Sequence, residues 1–209
     1  MNYHGIGVES SRYAVKLVQS KLPAVPGRLL IVQRDFLEMD LRDEFDFVFV
    51  LEVLEHMNDD ERCLWKISSF LRPGGKCFLS VPAHMRHWTS HDQSAGHLRR
   101  YEKDNLVTKL PRTGFTVLTI WNYGFPLSNF LFPLRSFAAH RISSTSMKER
   151  TAISGTYHPL EQRFRPLLDL ITKVVLPLQL WLQGFFLDRD FGIGYVVLAQ
   201  KKQVCFSST

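Results

Sequence analysis

Residues 45–84, FDFVFVLEVLEHMNDDERCLWKISSFLRPGGKCFLSVPAH, decide how the rest of the chain is read. Phe47, Val48, Phe49, Val50 and Leu51 form an unbroken apolar run, which suits a strand of a parallel sheet covered on both faces. Asn58 is expected to cap a helix, with Glu61 completing a capping box and Asp59 and Asp60 favouring the positive helix end. Leu64, Ile67 and Leu71 then share one helix face. Arg72-Pro73-Gly74-Gly75 is expected to stop the helix, because proline lacks the N–H for the ladder and glycine accepts the positive φ of a C-cap. Cys77–Val81 reads as the next buried strand, so the unit is β-α-β.

In open α/β sheets ligands sit in the crevice beyond the carboxyl ends of the strands. Glu52, Glu55 and His56, in LEVLEH, fall at that rim, where each taken alone also reads as a solvated loop polar. The combined pattern is more specific. A strand ending in FDxVxxxExLEH, an amphipathic helix, LRPGG and a second strand together resemble the middle of the class I S-adenosylmethionine-dependent methyltransferases. The likeness runs from Gly5 to Val117. It implies a Rossmann-like, mostly parallel sheet with an antiparallel last strand, and it implies that Leu51, Glu52 and Val53 line the cofactor cleft.

Upstream, Tyr3–Glu9 reads as a strand, and Ser10 or Ser11 can cap a helix bearing Tyr13, Ala14, Leu17 and Val18 on one face. A carboxylate offers two acceptor oxygens to the two adjacent ribose hydroxyls, and GVESS places Glu9 where the resembled family has that acid. Glu9 also suits a helix N-terminus on electrostatic grounds alone. Arg28–Gln33 is the next strand. Asp35 and Phe36 after it match the family's acceptor for the adenine amino group and the wall beside the ring; a core Phe after a loop Asp is the plainer reading.

His4-Gly5-Ile6-Gly7 is not the family's glycine-rich cofactor turn, because it runs directly into the acid. That turn belongs about twenty residues before the acid, between a first strand and its helix. The sequence leaves no room for it. The expectation is a fold lacking its first strand and helix, either a truncated gene product or a chain that no longer binds the cofactor normally.

After Pro82 the chain is dense in polar donors: AHMRHWTSHDQSAGHLRRYEKDNL. HDQSAGHLRRY is similar to a string in bacterial methyltransferases of this class that borders the acceptor pocket. On that likeness Glu55, His56, His91 and His97 are acceptor-side candidates, with His91 or His97 as a base toward an acceptor hydroxyl. Arg99, Arg100 and Tyr101 are candidates for binding the substrate, the arginines through an anionic group. Loop anchoring explains any one of these residues equally well. A metal site is weighed and set aside, since the spacing lacks a tight His-x-x-x-His pair and the segment is expected to be irregular.

Glu102–Leu110 reads as a helix, TGFTVLTIWNYG as a strand and FGIGYVVLAQ as the last strand. Residues 123–190 read as an apolar, aromatic, helical insertion folded over the ligand edge as a lid. Asp169, Lys173, Gln179, Gln183 and Pro177 argue against a membrane span in 166–187, whereas exposed Trp181, Phe185 and Phe186 suit peripheral contact with a bilayer or lipid substrate.

The chain has 209 residues, 45% hydrophobic and 22% charged, which suits a single methyltransferase-like domain. The net charge of +6 is spread along the sequence, and no nucleic-acid-binding stripe emerges. Cys63, Cys77 and Cys205 lack metal-ligand spacing and suit a reducing, cytoplasmic setting. No secretory h-region precedes the first strand. The reading is S-adenosylmethionine-dependent methyl transfer to a small or lipid-linked acceptor through an O- or N-nucleophile. The alternative is a non-catalytic binding or scaffold module, motivated by the missing glycine turn. A nicotinamide-dependent oxidoreductase ranks last, because its glycines are equally absent.

Overall fold

The computed structural model describes residues 4–21, 29–127, 129 and 171–203. The chain divides into two compact units, one of Met1–Asp40 with Ser144–Gln162 and one of Leu41–Ser143 with Arg163–Thr209. The strands form a two-stranded and a four-stranded sheet.

In the first unit β1 (Gly5–Glu9) and β2 (Leu29–Gln33) are parallel, with Glu9 opposite Gln33, and α1 (Arg12–Lys21) connects them. Ser11, of the two serines in GVESS, makes the local cap, its hydroxyl accepting from Ala14 N at 3.3 Å.

In the second unit the strand order is β3-β4-β6-β5. β3 (Phe45–Leu51) and β4 (Leu71–Pro82) are parallel, while β6 (Gly194–Lys201) runs antiparallel to both β4 and β5 (Phe115–Tyr123). β3, β4 and β5 therefore end at one rim. This is the Rossmann-like methyltransferase pattern, with its antiparallel last strand. The core lies between this sheet and α2 (Asp60–Phe70), which buries Cys63, Leu64, Ile67 and Phe70, and α4 (Lys103–Arg112), which buries Leu106 and Leu110.

Three expectations are corrected. The α2 cap is Asp59, not Asn58: the Asp59 carboxylate accepts from Arg62 N at 2.9 Å. The glycines of RPGG do not cap α2, which ends at Phe70 as Leu71 pairs with Phe45. Phe47 then pairs with Lys76, so Arg72–Gly75 loop out of β4 opposite Asp46. Gly74 has φ +80°, and a Cβ on Gly75 would lie 2.9 Å from the Arg72 carbonyl oxygen and 3.1 Å from that of Phe45. Glycine is required here by a bulge rather than a cap. Finally, the segment after Pro82 is not irregular throughout: it contains α3 (Ser90–Ala95), which starts with a capping box in which Asp92 Oδ2 accepts from Thr89 N at 2.8 Å.

Of the apolar lid expected over 123–190, residues 128 and 130–170 lie outside the described residues. The described part contains α5 (Leu176–Gly184), tied to the end of β5 by two glutamines. Gln183 Oε1 accepts from Gly124 N at 2.8 Å, and Gln179 accepts from Leu127 N at 3.1 Å while donating to the Phe125 carbonyl.

Candidate acceptor site at the strand rim

Glu9 and Asp35 lie in the first unit at the carboxyl ends of adjacent parallel strands. Both carboxylates also serve local turns: Glu9 Oε1 accepts from Ser11 N at 2.8 Å, and Asp35 Oδ1 from Leu37 N at 2.9 Å. Phe36 follows in a single 3-10 turn. Two acids at neighbouring strand tips, followed by an aromatic ring, fit the nucleoside half of an adenosine-bearing cofactor.

Leu51, Glu52 and Val53 lie in the second unit, where β3 reaches the rim. Glu52 adopts φ +53°, which turns the chain sharply out of the strand. Its carboxylate is held by Ser80 Oγ at 2.8 Å and Tyr123 Oη at 3.4 Å, donors from β4 and β5. Burial, reinforced by the Glu52 charge, pushes the Tyr123 phenol above its ordinary range. The residues after Glu52 form a 3-10 turn, Leu54–His56, that buries Glu55 completely and leaves His56 exposed.

The Glu55 carboxylate is the unusual group of this rim. Its side chain is 0% exposed, and neither oxygen has a hydrogen-bond partner. Burial, with the neighbouring Glu52 charge adding to it, raises this carboxyl to about 7. Facing it are two imidazoles, His56 with Nε2 at 4.0 Å and His97 with Nε2 at 3.9 Å from Oε1. Their rings meet edge to face with centroids 4.8 Å apart.

His97 reaches the rim because Asp92 holds it there. Nδ1 lies 2.9 Å from Asp92 Oδ1. Burial alone would raise the Asp92 carboxyl, but hydrogen bonds from His97, Thr89 N and Arg100, with the Arg100 charge, hold it well below the ordinary range. Asp92 is therefore an acceptor, and His97 Nδ1 carries the hydrogen. His91, on the exposed side of α3, is not part of the Glu55–His56–His97 group.

Arg99, Arg100 and Tyr101, expected to bind substrate, direct their polar atoms to protein partners. Arg100 donates to both Asp92 oxygens and to the Ala83 carbonyl at 2.9–3.1 Å. Arg99 pairs with Asp60 at 3.1 Å, and Tyr101, 2% exposed, donates to Asp60 at 2.8 Å. Lys109 Nζ also lies 2.6 Å from the Asp60 oxygens. These residues brace the loop that carries His97. The sequence reading missed Asp60, Ser80, Asp92 and Tyr123, although Thr89-x-x-Asp92 is a legible capping box.

Residues 1–79 match the family model described as "Methyltransferase domain". The chain is 36% identical over 87 residues to a ubiquinone biosynthesis O-methyltransferase of Bradyrhizobium sp., covering 41% of this chain and 33% of that protein. It thus spans about a third of the length of the curated relatives it matches. Among solved structures, an S-adenosylmethionine-dependent methyltransferase from Mesorhizobium loti superposes with TM-score 0.53 at 13% identity, over 95% of this chain and 80% of that one. The Burkholderia thailandensis 1,6-didemethyltoxoflavin-N1-methyltransferase, solved with S-adenosylhomocysteine, gives TM-score 0.52 at 16% identity, over 95% and 61%.

Proposed function

We propose that this chain, a class I S-adenosylmethionine-dependent methyltransferase by its family match and its fold, transfers methyl to the oxygen of a small or lipid-linked acceptor seated at the Glu52–Glu55–His97 rim. The observation that carries this reading is the buried, unpartnered Glu55 carboxylate facing His56 and His97 where β3 reaches the rim. Such a group suits an incoming donor, which an acceptor hydroxyl supplies. The named activity of the O-methyltransferase relatives supports oxygen as the nucleophile.

In the first unit Glu9 and Asp35, with Phe36 after them, are suited to hold the nucleoside of the cofactor; in the second, Leu51, Glu52 and Val53 stand where β3 reaches the rim. When bound, the cofactor supplies a methyl group already activated by its sulfonium. The protein therefore has to align, desolvate and deprotonate. Ser80 and Tyr123 fix Glu52; Asp92 fixes the tautomer and orientation of His97; Glu55 and His97 receive the acceptor's proton. His56, on the open side of the cluster, meets the acceptor as it enters.

Apolar surface beside the rim supports a bulky acceptor. Trp181 and Phe185 on and just after α5 are 62% and 66% exposed, and their rings pack together at 5.0 Å. Among the described residues no helix is long and apolar enough to cross a membrane, so contact with a lipid would be peripheral. Cys63 and Cys77 are buried thiols, and the reducing, cytoplasmic setting expected from the sequence is part of the proposal.

The test is calorimetry with S-adenosylmethionine and S-adenosylhomocysteine, followed by transfer of labelled methyl to hydroxyl acceptors of graded apolar size. Saturable binding and label on oxygen are expected. No heat at millimolar cofactor, with the protein folded, overturns methyl transfer and favours the binding-module reading.

A further inference from the structure

The arrangement of Glu55, His56 and His97 goes beyond what methyl transfer needs. Their ligating atoms all lie within 4.8 Å of one another. His97 Nδ1 faces the Asp92 carboxylate at 2.9 Å, and His56 Nδ1 faces the Gly96 carbonyl at 3.2 Å. Both partners only accept, so both Nδ1 atoms carry hydrogen and Nε2 is the ring nitrogen left to act as a ligand. The two Nε2 atoms lie 4.0 and 3.9 Å from Oε1 of the buried, unpartnered Glu55 carboxylate.

Three donors of this kind gathered within 4.8 Å can share one positive species between them. A proton on one of them does not bridge the gap, since 3.9 and 4.0 Å exceed hydrogen-bond distance. A metal ion does. Bonds of about 2.1 Å in a tetrahedral set place ligand atoms roughly 3.4 Å apart, so rotation of the exposed His56 ring would have to be joined by a shift of about half an ångström between Glu55 and His97, now 3.9 Å apart. Imidazoles that give Nδ1–H to a carboxylate or a backbone carbonyl are the usual oriented metal ligands.

We infer that Glu55, His56 and His97 bind one borderline divalent metal ion of the Zn2+ or Co2+ class, with Asp92 and the Gly96 carbonyl orienting the two imidazoles. Two nitrogen donors and one carboxylate disfavour Mg2+ and Ca2+, which take oxygen ligands. His97 is 42 positions beyond Glu55, so chain spacing alone gives no sign of the set. Three protein ligands leave a coordination position on the side of His56, whose side chain is 37% exposed. With the ion bound, Glu55 and His97 would act as ligands in place of the base role given to them above, and an acceptor oxygen in that position would lose its proton to solvent under the influence of the ion's charge. That consequence rests on the proposed methyl transfer; the ion site does not.

The test uses the full chain, free of any affinity tag, stripped by chelator and shown folded by circular dichroism. Titration with Co2+ is expected to give one saturable equivalent with visible d–d absorption, displaced by Zn2+ and not by Mg2+. Glu55→Gln and His56→Ala should each weaken binding at least tenfold, and His97→Ala at least a hundredfold. His56→Ala removes an exposed ring, so at least one variant keeps its fold. Absence of a saturable Co2+ spectrum, or a spectrum kept in both Glu55→Gln and His56→Ala, overturns the inference. Calorimetry with S-adenosylmethionine on the same sample separates the two readings. Metal binding without cofactor binding upholds this site and sinks methyl transfer; the reverse result sinks this site alone.

Discussion

His97 stands between two buried carboxylates of opposite character, with Nδ1 2.9 Å from Asp92 Oδ1 and Nε2 3.9 Å from Glu55 Oε1. Both acids have side chains at 0% exposure. Asp92 is satisfied by Arg100, Thr89 and His97 and is held low, whereas Glu55 has no such donors and is raised to about 7. Partners, not burial, separate them. Asp92→Asn would leave the Arg100 guanidinium, 8% exposed, without its counter-charge. Urea denaturation is expected to show a loss of about 3 kcal/mol. A loss below about 0.5 kcal/mol would mean that Arg100 finds another acceptor.

Asp60 gives stability a defined dependence on acid. Burial raises its carboxyl, but hydrogen bonds from Lys109 and Tyr101 and the charges of Lys109 and Arg99 outweigh burial, so the net shift is downward. A carboxyl lower in the folded than in the unfolded chain stabilises above its unfolded value of about 3.9 and loses that contribution as pH falls through the folded value. Urea midpoints should fall below pH 4, and Asp60→Asn should flatten that part of the profile. A profile unchanged in Asp60→Asn refutes the assignment.

Tyr101→Phe removes one hydroxyl from a buried position where it donates to Asp60 at 2.8 Å and lies 3.2 Å from the Leu54 carbonyl. A charge-assisted hydrogen bond lost in the interior costs about 2 kcal/mol. Thermal unfolding should report it. Because Leu54 immediately precedes Glu55, the variant should also weaken acceptor turnover at the rim.

Glu9→Ala tests the nucleoside assignment apart from the acceptor site. Loss of hydrogen bonds from ribose hydroxyls to a carboxylate should weaken S-adenosylhomocysteine binding about 10- to 100-fold by calorimetry. An unchanged affinity would leave Glu9 with only its turn-forming role toward Ser11 N.

Trp181→Ala with Phe185→Ala probes the apolar surface beside the rim. Both rings are mostly exposed, so the change in stability should stay within about 0.5 kcal/mol. Turnover of long-chain acceptors should fall while short ones are unaffected. Equal loss for both would point to a structural role for α5.

The β-α-β unit was legible because its signals are local: the apolar run of β3, the periodicity of α2 and the acids at the α2 start. The rim residues Glu52, Glu55 and His56 followed from their place after a strand. Other features depended on the third dimension. Gly74 and Gly75 look like a helix stop in any linear reading, yet Leu71 pairs with Phe45 and turns the glycines into a bulge. His97 was singled out with three other candidates, but its meeting with Glu55 depends on Asp92, and in the linear sequence that acid is one polar residue among many after Pro82. Arg99 and Arg100 looked like anion binders because sequence shows charge and not counter-charge; Asp60 and Asp92 supply it.

The margin of the four-stranded sheet has a practical consequence at the bench. Among the described residues β3 is its terminal strand, and Phe47, Phe49 and Leu51, on alternate positions, are 57%, 68% and 55% exposed. A terminal strand with a bare aromatic face recruits further chains edge to edge. Preparations of this polypeptide should therefore self-associate as they are concentrated, and light scattering across a dilution series belongs ahead of every titration.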